Sequence, residues 1–149
     1  MSTDYRTLFR EQLFSGVETW RATFNATQTN DHDRIRQSYR ARPPAFHPPL
    51  VYIGPVAEAL SHSASTKGDI ITGSVVVVRG LYDNEEAVQW RDDATWSLHE
   101  WLTNNKNQVS TKTIVEPTGT EDAELDMGER VIYLAGLVTV RLDVRFGRD

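Results

Sequence analysis

The chain has no cysteine among its 149 residues. That absence removes disulfides, iron–sulfur clusters, thiolate zinc sites and a thiol nucleophile together. It also fits a reducing compartment. Long apolar runs are missing too. The longest nearly apolar stretch, Val131 to Val140, is broken by Gly136 and Thr139. A bilayer span takes about 20 apolar residues, so no membrane segment is expected. The N-terminus, Met1-Ser2-Thr3-Asp4-Tyr5, has no basic segment leading into an apolar core, so no secretory signal is expected either. Basic charge is the scarcer sign: 16 Lys plus Arg stand against 21 Asp plus Glu, a net charge of -5. Bulk binding to DNA or to anionic membrane rewards an excess of Lys and Arg, so the total argues against both. Neither phosphate-cradling glycine motif (G-x-x-x-x-G-K-[ST] or G-x-G-x-x-G) occurs, and there is no G-x-S-x-G nucleophile elbow.

What is present fits one soluble, cytosolic domain over residues 1–149, with 39% hydrophobic residues. A chain of this length buries roughly 70% of its unfolded surface, enough for a core without staples. The spacing predicts a first helix at about 4–26. Phe9, Leu13, Val17, Trp20 and Phe24 recur every three or four positions on one stripe, with Gly16 beside it and Leu8 and Phe14 on its flanks. One flank is a candidate for contact with another subunit. Residues 27–49 are expected to form a long irregular connection, because Asn30-Asp31-His32-Asp33 breaks the helix and Pro43-Pro44 and Pro48-Pro49 oppose both helix and central strand.

A short strand closed by a Gly-Pro turn is expected at 49–55, and a mobile polar loop from Ser61 to Asp69. A second strand should run from Ile70 to Leu81. Its Val75-Val76-Val77-Val78 run lacks alternation and suits burial on both faces. A second helix is expected over 84–105, with Asp83 and Glu86 in capping-box spacing and Asn104-Asn105 at its end. Ala87, Trp90, Ala94, Leu98 and Trp101 share its apolar face; Trp96 projects opposite, among Gln89, Asp92, His99, Glu100 and Thr103. A third strand is expected from Val109 to Glu116, ending at Pro117-Thr118-Gly119, then an acidic loop. The last strand alternates Val138, Val140, Leu142, Val144 and Phe146 with Thr139, Arg141, Asp143 and Arg145. The order helix–strand–strand–helix–strand–strand implies an α/β (α+β) fold, a mostly antiparallel sheet with helices packed on it.

Signals for chemistry are few. His32, His47 and His62 fall in expected loops and His99 on a polar helix face. Asp31-His32-Asp33 offers three ligand types, but adjacent ligands in a flexible loop make a poorly organised site, and a solvated turn is the expectation. Asp92 and Asp93 point in different directions around a helix and form no paired-carboxylate site. No catalytic residue, cofactor or metal site is expected, and a non-enzymatic role is favoured. Two other features carry more information. Arg34, Arg36, Arg40 and Arg42 follow one another with no acid after Asp33, whereas Glu116, Glu121, Asp122, Glu124, Asp126 and Glu129 cluster before Arg130. Residues 1–50 hold 7 basic and 5 acidic groups, and residues 51–149 hold 9 and 16, so the two parts differ as +2 against -7. Opposite patches on one domain can pair within the chain or head-to-tail between copies, and head-to-tail contacts close into rings when the rotation allows. Two solvated loops that never meet would carry the same charges. Trp96 is the second feature, because Trp is enriched at interface hot spots. Arg34, Arg36, Arg40, Arg42, Trp96, Glu121, Asp122, Glu124 and Asp126 are therefore the candidate interface residues.

The order of elements resembles that of the tail terminator proteins of long-tailed (siphovirus-type) bacteriophages. The resemblance rests on the amphipathic N-terminal helix, Leu50-Val51-Tyr52-Ile53-Gly54-Pro55, and Val75-Val76-Val77-Val78-Arg79-Gly80 leading to an acid-capped helix. It continues in Thr113-Ile114-Val115-Glu116-Pro117, the acidic stretch, and Tyr133-Leu134-Ala135. It covers most of the chain as a pattern of elements, and the Pro-rich Arg34 to Pro49 stretch is longer than that pattern needs. What the resemblance implies is a structural virion protein: a hexameric ring that caps the tail tube, ends its polymerisation and presents a surface to a head-completion or stopper protein. DNA would pass the lumen without specific binding. The protein would be made in the host bacterial cytoplasm and reside at the head-proximal end of the tail, with the tail tube protein and itself as partners. Another phage neck protein, a head-tail connector or stopper, is the alternative. A small α/β enzyme or ligand-binding domain, with a pocket under the Ser61–Asp69 loop, lies further off.

Overall fold

A computed structural model describes residues 5–62, 67–80, 85–105, 107–110, 113–126 and 132–146. The fold is α+β, as the pattern implied: two long helices, α1 (Tyr5–Ala26) and α2 (Glu85–Asn104), lie on a seven-stranded sheet. The strands are β1 (Gln37–Tyr39), β2 (Leu50–Ile53), β3 (Ala57–His62), β4 (Lys67–Gly80), β5 (Asn107–Ser110), β6 (Thr113–Asp126) and β7 (Ile132–Phe146). Their order is β1-β2-β4-β7-β6-β5, with β3 paired to β4 as well. Every pairing is antiparallel except β1 with β2.

The sheet is sandwiched unequally. On one face, Phe9, Leu13, Val17, Trp20 and Phe24 of α1 are buried against Ala94, Leu98 and Leu102 of α2 and against Val75, Val77, Val138, Val140 and Leu142. Trp20 stacks on Phe24 at 5.1 Å, and Phe24 meets Trp90 edge-on at 5.8 Å. Each such pair adds about 1 kcal/mol beyond the area it buries. The other face holds a smaller core of Phe46, Leu50, Tyr52, Val76, Val78 and Ala135. The four valines thus divide between the two cores, which is why their run does not alternate.

Close approach of helix to sheet explains two glycines. A Cβ on Gly136 would lie 1.8 Å from Thr95 Oγ1, and one on Gly73 would lie 2.8 Å from the Phe9 ring. Gly136 therefore interrupts the apolar run where α2 crosses β7, and Gly73 makes room for α1.

The sequence expectation needs four corrections. Residues 27–49 are not wholly irregular: a 3-10 turn at Asp31–Asp33 and strand β1 lie within them. Asn25 fixes this segment by mimicking a strand, accepting from Ile35 N at 2.8 Å and donating to Ile35 O at 2.9 Å. The Ser61 to Asp69 loop is instead largely a hairpin, with Ser61 and His62 of β3 paired to Gly68 and Lys67 of β4. Polar residues in a period-two edge strand look like a loop in sequence. The strand expected at Val109 to Glu116 is two strands, β5 and the start of β6. The acidic stretch is not a loop as far as Asp126, because β6 carries it along β7 through the register Glu121↔Leu137 to Asp126↔Ile132. Pro117 and Gly119 mislead here. They mark a β-bulge rather than a strand end, since register shifts between them and pairing resumes. The capping box expected at Asp83, residues 63–66 of the expected loop, and Glu129 lie outside the described residues.

Candidate functional site

The two charged stretches occupy opposite edges of the sheet. β1, with the basic segment around it, is one edge; β6 lies four strand spacings away, about 19 Å at a spacing near 4.8 Å. Arg34 pairs with Asp31 and Arg40 with Glu11, whereas Asp122 on the acidic strand pairs with Arg91 of α2.

Three of the four candidate arginines are fastened inside the molecule. Arg34 donates from Nη2 to Gln28 O at 3.0 Å and from Nε to Asn25 O at 3.3 Å, satisfying carbonyls at the end of α1. Arg40 donates from Nε to Glu11 Oε1 at 2.8 Å and lies over the Phe14 ring at 4.1 Å. Arg42 sits over Phe46 at 5.5 Å. It also faces Tyr52, whose hydroxyl is pushed above its ordinary pKa by burial, with the Arg42 charge pulling the other way. Arg36 differs. Its backbone N–H donates to Pro49 O at 2.9 Å, whereas its exposed guanidinium makes no hydrogen bond or ion pair among the described residues.

On the acidic edge, Glu121 is exposed and Asp122 turns to the helix side, 3.3 Å from Arg91 Nη2. Glu124 and Asp126 follow on the same strand, opposite Leu134 and Ile132. Trp96 is 56% exposed, the most open large apolar side chain among the described residues. Its indole donates to Glu100 Oε1 at 2.7 Å and stacks on His99 at 5.3 Å. The ring is thus held flat on the outer face of α2, with Asp92 and Asp93 exposed beside it.

Arg91 was missed by the sequence reading. It is buried, and its place four residues after Ala87 and four before Thr95 is the signal that it belongs to the sheet-facing side. A second missed group surrounds the 3-10 turn. Asp31 is almost fully exposed, as a solvated turn should be, but Asp33 is not. Arg79 leaves β4 at a bulge between Val78 and Gly80, donates from Nη2 to Asp33 Oδ1 at 2.8 Å and from Nη1 to His32 O at 3.1 Å, and covers Trp90 at 5.3 Å. Trp90 Nε1 donates to Asp33 O at 2.9 Å. Beside this staple opens a cleft of about 530 Å³, lined among others by His32, Arg36, Phe46, His47, Glu86 and Tyr133. Of the stretch Ser61–Asp69, Ser61 and His62 pair with Gly68 and Lys67, and Asp69 pairs with Leu60, in the β3–β4 ladder.

No helix among the described residues is long and apolar enough to cross a membrane. The chain matches no protein-family model and no curated protein sequence.

Proposed function

We propose that the chain is a ring-forming structural protein of a phage tail, a tail terminator that caps the tail tube and offers the head-joining surface. The observation that carries this reading is the placement of opposite charge on opposite edges of one sheet. A contact between unlike edges is head-to-tail, and repeated with a closing rotation it yields a ring. Arg36 is the group most available for it, because its guanidinium is exposed and has no partner among the described residues. Glu121 is its counterpart on β6, exposed and unpaired by any basic side chain among the described residues. Beyond Val115, β6 also has no strand on its outer side among the described residues, which leaves an edge that a neighbour can cover. The net charge of -5 suits a lumen that repels DNA phosphate.

The test is co-sedimentation of the purified chain with two particles, headless tail tubes and tailless heads bearing their portal. A tail terminator binds the tubes and stops their elongation. Binding to the heads alone reassigns the chain to the connector or stopper class, and binding to neither contradicts a neck role.

A further inference from the structure

We propose that His32, Asp33 and Glu86 form a binding site for a divalent first-row transition metal ion, Zn²⁺ being the natural probe. Their donor atoms, one imidazole nitrogen and two carboxylate oxygens, all lie within 4.8 Å of one another. His32 Nε2 is 3.7 Å from Asp33 Oδ1. An ion with bonds near 2.1 Å holds tetrahedral donors about 3.4 Å apart, so the set closes with small side-chain rotations. The exposed His32 and Glu86 side chains are free to make them.

Three features separate this cluster from an accidental gathering of surface acids. First, it joins two elements far apart in sequence, the 3-10 turn and the first turn of α2. Second, the turn is pinned: Arg79 holds His32 O, Trp90 holds Asp33 O, and the Asp33 backbone N–H donates to Asn30 O at 3.1 Å. These bonds restrain the backbone of the turn that carries the two adjacent ligands. Third, the Arg79 bond to Asp33 Oδ1 fixes the orientation of this carboxylate, as outer hydrogen bonds do for ligating carboxylates. The two carboxylates supply the anionic oxygens a dication needs. An imidazole in the set favours Zn²⁺ or its neighbours over Mg²⁺, which prefers an all-oxygen octahedron. The adjoining cleft has space for water to complete the shell.

Calorimetric titration of the full chain with ZnCl2 at near-neutral pH tests the site. One ion per chain is expected, with His32→Ala and Glu86→Gln each weakening binding by about tenfold or more. His47→Ala, which changes a wall of the same cleft, should leave the affinity within about twofold. Circular dichroism confirms that each variant is folded, and His32→Gln replaces the alanine variant should that one unfold. No binding at ~1 mM, a dissociation constant worth only about 4 kcal/mol, overturns the assignment. So does unchanged affinity in both ligand variants, dependence on His47, or equal affinity for Mg²⁺.

Discussion

At the scale of single residues, two sites govern how the core tolerates change. Gly136 faces Thr95 so closely that any Cβ overlaps its hydroxyl. Gly136→Ala should therefore destabilise by about 1–3 kcal/mol, as overpacking does. Adding Thr95→Ala should recover part of the loss, because it removes the nearest atom; thermal melts of the single and double variants measure the coupling. Tyr52 responds to pH instead. Burial raises its folded-state pKa above the ordinary 10.0, so the folded protein favours the neutral phenol. That contribution is complete below the unfolded value and is lost as pH rises through the folded one. Melting temperature measured against pH should fall more steeply above pH 10.0 for the parent chain than for Tyr52→Phe. Near neutrality the two should differ little, since the ring remains to pack against Phe46 at 5.9 Å.

At the scale of elements, α2 has two unlike faces and each can be tested alone. Trp90→Ala removes a buried ring that touches Phe24 and holds the Asp33 carbonyl, and should cost about 3–5 kcal/mol in chemical denaturation. Trp96→Ala, on the exposed face, should cost under about 1 kcal/mol while weakening binding to a partner. Both helices were legible in sequence because an apolar stripe at helical spacing needs no knowledge of what covers it. The stripe Phe9 to Phe24 and, on the second helix, Ala87, Trp90, Ala94 and Leu98 are buried as their periods required, whereas Trp101, expected on the same face, is only half-buried and Leu102 is buried there. Strands were legible where one face is apolar, as at Val138 to Leu142, and where both are, as at Val75 to Val78. They were lost where pairing alone makes them. β1 is three residues held by β2 and by Asn25, β3 ends in the polar pair Ser61-His62, and β6 is acidic in its second half, after a bulge at Pro117. Backbone ladders of that kind leave no hydrophobic signature. The candidate interface was legible as charge along the chain, but not as two opposite edges. The Arg79–Asp33–Trp90 staple was invisible, because it joins residues 46 and 57 positions apart.

At the scale of the whole molecule, the sheet is built on one long central ladder, β4 with β7. β7 has 15 residues, about 50 Å of strand, whereas the 22 residues of α1 span about 33 Å. The β4–β7 ladder runs without a break in register from Lys67↔Phe146 to Val78↔Ala135. Under the ring proposal, the oppositely charged sheet edges are the interaction surfaces and the core is not involved. Charge reversal should then act on assembly and not on folding. Arg36→Glu is the cleanest probe, since Arg40 also binds Glu11 within the chain. Arg36→Glu and Glu121→Arg should each weaken self-association, and mixing the two variants should restore it in part. The most direct test is the mass of the purified chain in solution by light scattering over a range of concentration and salt. A protomer of 16.9 kDa should assemble at low salt into a particle of roughly 100 kDa, six copies, that Arg36→Glu dissociates. A particle that stays at 16.9 kDa at every concentration, or an assembly indifferent to both salt and Arg36→Glu, would contradict the edge-to-edge ring.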